Sequence, residues 1–125
     1  MPGKKKMLII DDDPGSLKLQ QVLLEYAGYE VISDRSAESG LPLAKESLPD
    51  LIILDYWLPG MNGEATLKIL MADKNTQSIP VVFVTASAMD EDKKRLELYH
   101  CKVITKPIDT RTFVQEIEEA LNAAR

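Results

Sequence analysis

Five short apolar runs, each followed by a longer mixed stretch, constrain the fold of this chain more than any other feature. They are MLII (7–10), YEVIS (29–33), LIIL (51–54), IPVVFVT (79–85) and KVIT (102–105). Three of them are apolar almost throughout. A strand with one wet face alternates, whereas a strand covered on both faces reads as a continuous apolar run. Runs of this length separated by amphipathic stretches predict βαβ units and a parallel sheet with helices on both sides.

The intervening stretches carry helix signals. Asp13 is placed as an N-cap with Pro14 at the first helical position, and Leu19, Val22, Leu23 and Tyr26 follow at helical spacing until Gly28. A second helix around 37–47 has Ala37, Leu41, Ala44 and Leu48 in phase, but Gly40 and Pro42 fall inside it, which predicts a late start or a kink. A third covers about 64–72, with Leu67, Leu70 and Met71 inward. The fourth, about 89–99, is mostly charged, with a thin stripe of Met89, Leu96 and Tyr99 that predicts loose packing. The fifth opens at Asp109 and carries Phe113, Ile117, Ala120 and Leu121 on one stripe.

At 125 residues the chain is expected to form one domain, with residues 1–6 a loose amino-terminal end. A hydrophobic content of 45% with 28% charged residues is that of an ordinary globular protein. The net charge of −5 argues against direct binding to nucleic acid or an anionic membrane. One cysteine excludes an internal disulfide, and no apolar run approaches the roughly 18 residues of a membrane span. A cytoplasmic protein is the expectation.

All strands of a parallel sheet end on one edge, where open α/β sheets bind ligands. Here the first strand runs into Asp11, Asp12 and Asp13, the third ends at Asp55, the fourth at Thr85 and the fifth at Lys106, followed by Pro107. Two carboxylates about 4 Å apart repel by roughly 4 kcal/mol at an effective dielectric near 20. The cluster therefore needs either solvent or a cation.

In order and spacing, the pieces LIIDDDP, PDLIILDYWLPGMNG, IPVVFVTASAM and VITKPI resemble the receiver domain of bacterial two-component response regulators. The likeness spans nearly the whole chain. It implies a flavodoxin-like (βα)5 fold, a doubly wound parallel five-stranded sheet of order 2-1-3-4-5. With neighbouring strands about 4.8 Å apart, Asp55 then has the acidic pair on one side and Thr85 on the other, and Lys106 starts about 10 Å away, within reach of its stem.

The resemblance further implies that Asp55 accepts a phosphoryl group from a sensor histidine kinase or a histidine phosphotransfer protein, with a change on the strand 4/strand 5 face passed to an output partner that the residues do not name. Clustered carboxylates and carbonyls suit Mg²⁺, for which Mn²⁺ can substitute. By the same resemblance, Asp12 and Asp55 bind the ion directly, Asp11 largely through water, and the Trp57 backbone carbonyl supplies another ligand. Thr85 and Lys106 stabilise the phosphoryl group, Ala86 leaves room for it, Pro107 follows a cis bond, and Trp57 and Ser87 tune the phosphoryl lifetime. Activity beyond self-catalysed phosphorylation and dephosphorylation is not implied. A homodimer through the fourth helix, fifth strand and fifth helix is a mode the family allows. One departure stands out: many receivers carry an aromatic residue three positions before the lysine, and this chain has Val103, so a switch built on that ring has no ring here.

Two other readings compete. A haloacid-dehalogenase-like phosphatase would use Asp11 as nucleophile, since DDDPG partly mimics Asp-x-Asp-x-Thr/Val, but its fifth position here is Gly15. A phosphorylation-independent interaction module would keep the fold without the chemistry. Neither His100 nor Cys101 has the partners that a metal site or triad requires.

Overall fold

The computed structural model describes residues 3–86 and 90–123. Five strands and five helices alternate: β1 Lys6–Ile10, α1 Pro14–Tyr26, β2 Glu30–Asp34, α2 Ala37–Ser47, β3 Leu51–Leu54, α3 Gly63–Ala72, β4 Val81–Thr85, α4 Asp90–Leu98, β5 Lys102–Thr105 and α5 Phe113–Ala123. All pairings are parallel, in the order β2-β1-β3-β4-β5. β1 opens at Lys6, one residue inside the stretch expected to be loose, because its N–H donates to Asp50 Oδ2 at 2.7 Å.

Alternate residues of each strand feed two separate cores. Leu8, Ile10, Ile52, Leu54, Val81 and Phe83 pack with α2, α3 and α4 residues on one face. Met7, Ile9, Leu51, Ile53, Val82 and Val84 pack with Leu24 of α1 and Phe113, Ile117 and Leu121 of α5 on the other. Fully burying a side chain of this size contributes about 1.5–3 kcal/mol, so a strand apolar on both faces stabilises both layers at once.

The helix assignments hold, with changes of phase and boundary. On α1, Leu19, Val22 and Tyr26 do not face inward: Leu19 and Val22 are exposed and Tyr26 is 94% exposed. The buried residues are Gln20 and Leu24, because the helix is rotated to bring Ser16 and Gln20 to Asp11. Asp13 does cap α1, accepting from the Gly15 N–H at 3.1 Å. α2 starts on time and runs unbroken through Pro42, its start fixed by Ser36, whose Oγ accepts from the Ser39 N–H. Leu48, expected in its stripe, is instead the left-handed cap residue and is exposed. Met71 points outward from α3, while Leu67 and Leu70 are buried. On α4, Leu96 is buried as expected, and Met89 lies outside the described residues.

Candidate functional site

The parallel register brings the carboxyl ends of the strands together. Ile10 pairs with Leu54, and the Asp55 N–H donates to the Ile10 carbonyl at 3.0 Å, so Asp11 and Asp55 leave adjacent strands side by side. Thr85 pairs with Thr105, and the Lys106 N–H donates to the Thr85 carbonyl at 2.8 Å. Asp11, Asp12 and Asp55 each offer a carboxylate oxygen, all within 4.8 Å of one another. Asp11 and Asp55 are buried and Asp12 is half-buried.

The long stem of Lys106 crosses the gap foreseen from strand spacing. Its ammonium lies 2.9 Å from Asp11 Oδ2 and 3.1 Å from Asp55 Oδ2. Burial pushes the Asp55 carboxyl above the usual carboxylate range, outweighing the Trp57 N–H and the Lys106 charge that favour its ionised form. Burial alone pulls the Lys106 ammonium down, but its bonds to Asp11 and Asp55 more than offset this and hold it above the ordinary lysine value.

The remaining expected residues fall around this centre. The Trp57 N–H donates to Asp55 Oδ1 at 3.1 Å, while its half-exposed ring stands edge-on to Tyr56 with centroids 4.7 Å apart. Thr85 is fully buried and Ala86 is exposed at the edge. The Lys106–Pro107 bond is cis. Val103 is half-buried against the core beneath α2, α3 and α4. Ser87 lies outside the described residues.

The sequence reading missed several neighbours. Ser16 Oγ and Gln20 Nε2 both donate to Asp11 Oδ2, each at 3.1 Å. Their signal was their i, i+4 spacing one turn into a helix that follows an aspartate, masked by a wrongly phased apolar stripe. Tyr56, next to Asp55, accepts from Arg95 of α4 at 3.2 Å, and Arg95 pairs with Glu64 of α3 at 3.4 Å. The Tyr99 hydroxyl donates to the same Glu64 at 3.3 Å. Only the folded chain brings these residues together.

A family model described as the response regulator receiver domain matches residues 7–118. The chain belongs to the response regulator receiver family. Among curated relatives, the polar-differentiation response regulator DivK of Brucella ovis is 39% identical over 121 residues, covering 96% of this chain and 98% of that protein. Among solved structures, a CheY-like receiver domain protein from Methanospirillum hungatei JF-1 superposes with a TM-score of 0.87 at 29% identity, covering 98% of this chain and 97% of that one. The receiver domain of a sensor histidine kinase from Pseudomonas aeruginosa PAO1, solved with a magnesium ion coordinated in its active-site cleft, superposes with a TM-score of 0.85 at 19% identity, over 96% of this chain and 99% of that one. The receiver thus has the CheY-like form of the flavodoxin-like fold and a phosphoacceptor role in two-component signalling. Receivers work with histidine kinases or phosphotransfer proteins and bind Mg²⁺ in an acidic pocket, and this one has an acidic cluster able to hold a metal. No helix among its described residues is long and apolar enough to cross a membrane.

Proposed function

We propose that Asp55 is the phosphoacceptor of this receiver and that Asp11, Asp12, Asp55 and the Trp57 carbonyl form its Mg²⁺ site. The observation that carries the reading is the shared ammonium of Lys106, bonded at once to Asp11 and Asp55 beside a third carboxylate. The donor set fits a hard divalent cation, being all oxygen and clustered within 4.8 Å. The magnesium ion in the cleft of the Pseudomonas receiver supports the same choice, and Mn²⁺ is expected to substitute. When bound, the ion neutralises charge on an incoming phosphoryl group.

The residues of the chain do the rest. A carboxylate oxygen of Asp55 attacks the phosphorus of a phosphohistidine on a kinase or phosphotransfer partner; the P–N bond breaks, and the imidazole leaves and takes up a proton. Such transfer depends mainly on positioning and charge, so the Asp55 oxygen held by the Trp57 N–H and the Lys106 ammonium are the main contributions. Thr85 donates to the bound phosphoryl, Ala86 leaves space at the rim, and Trp57 and Ser87 govern access of the hydrolytic water. The phosphoryl group carries about −1.5 to −2 charge, a net gain of about one half to one over the carboxylate it caps, and shifts the face of α4 and β5 to reach an output partner. Residues 1–125 act as one unit in a cytoplasmic setting, with dimerisation through α4, β5 and α5 as one output mode. Turnover is limited to formation and loss of the unit's own phosphoryl group.

Incubation with acetyl phosphate and Mg²⁺ followed by intact mass tests the reading. A phosphate adduct on the wild type and none on Asp55→Asn is expected. An adduct that survives Asp55→Asn but not Asp11→Asn points to the phosphatase alternative, and no adduct under any condition leaves only an interaction module.

A further inference from the structure

We propose that Gln20, together with Ser16, is a positioning residue for the cation site, acting through Asp11; this rests on the phosphoacceptor reading above. Gln20 is a polar side chain on the inward stripe of α1. It lies on the stripe of Leu17 and Leu24 and is fully buried. Its Nε2 donates to Asp11 Oδ2 at 3.1 Å and to Ser16 Oγ at 3.0 Å, and Ser16 Oγ donates in turn to Asp11 Oδ2 at 3.1 Å. The carboxylate is an obligate acceptor, so the amide must present its nitrogen there.

That orientation has a cost. Gln20 Oε1 is the one buried side-chain oxygen or nitrogen without a partner among the described residues. A glutamine kept only for packing is better replaced by an apolar side chain, since an unmet buried acceptor opposes folding. What the amide offers in return is its nitrogen, bonded to Asp11 and Ser16. Asp11 Oδ2 takes three donors, Lys106, Ser16 and Gln20, while Oδ1 takes the Asp13 N–H at 2.9 Å. Four bonds fix the carboxylate before any cation arrives. Outer partners that orient a metal-binding carboxylate matter typically about tenfold or more in affinity.

Gln20→Met keeps the volume and removes the amide. The measurement is free Mn²⁺ by electron paramagnetic resonance during titration of the full chain, with Mg²⁺ as competitor, alongside thermal melting without metal. The expected result is a Kd about tenfold weaker in Gln20→Met and several-fold weaker in Ser16→Ala, with metal-free melting in Gln20→Met unchanged or raised. A Kd within about twofold of wild type in both variants overturns the proposal, even if melting falls, because it leaves a packing role alone. If Gln20→Met does not fold, Ser16→Ala decides by the same criterion. Failure of the wild type itself to bind either ion overturns the phosphoacceptor reading instead.

Discussion

Asp55 and Lys106 show how burial and pairing compete at single residues. Desolvation raises the carboxyl, yet the same pocket raises the ammonium through its two acidic neighbours. These residues are legible in the sequence, because a charged side chain closing an apolar strand is conspicuous. Ser16 and Gln20 were not, since their role depends on helix rotation. Trp57 is half-exposed and follows Asp55 closely enough for its N–H to bond the carboxylate, and Trp57→Ala should shorten the phosphoryl lifetime by about threefold, some 0.6 kcal/mol of barrier, read from decay of the adduct after removal of the phosphodonor. Cys101 offers a pH prediction. It is 8% exposed, and burial pushes its thiol up to about 11. A raised folded-state value means that the native form holds the proton longer, so this contribution to stability is intact below the unfolded thiol value near 9 and lost as pH rises towards 11. In Cys101→Ala the decline in urea midpoint over that window should be shallower. Native Cys101 should also react with a thiol reagent at pH 8 far more slowly than the unfolded chain.

At the scale of elements, the inner strands β1, β3 and β4 were readable because a segment buried on both faces leaves no phase to choose. The helices were less so. α1 carries more apolar residues than one face can bury, and hydrogen bonds from Ser16 and Gln20 to Asp11 decide which stripe turns inward. In the turn before α3, Gly60 supplies backbone freedom at φ +79°. Gly63 is required for another reason: a Cβ there would sit 2.6 Å from Phe83 Cε1 and 2.8 Å from the Tyr56 Cα. Gly63→Ala should therefore destabilise by about 1–3 kcal/mol, seen as a lower urea midpoint, and a midpoint equal to wild type would refute it. Pro42 is the reverse case. It is exposed inside α2, where proline removes a helical hydrogen bond. Pro42→Ala should raise stability by about 1 kcal/mol, less than the full interior penalty because the alanine chain is freer when unfolded.

For the whole molecule, the sheet gathers at one edge what the sequence scatters from Asp11 to Lys106. Anything that binds the native acidic cluster but not the unfolded chain stabilises the fold, by about 2.7 kcal/mol at a hundred times its Kd. Mg²⁺ should raise the melting temperature by several degrees, and Asp12→Asn should blunt the rise. Lys106 carries one more consequence. Three carboxylates against one ammonium leave two unbalanced negative charges in the bare pocket. A divalent ion would cancel them, and phosphorylation of Asp55 would restore at most about one, because the phosphoryl charge replaces that of the carboxylate. The doubly loaded edge is thus closer to neutrality than the empty one, and the resident lysine acts as ballast, offsetting one acid in advance and leaving an incoming ion to offset the other two.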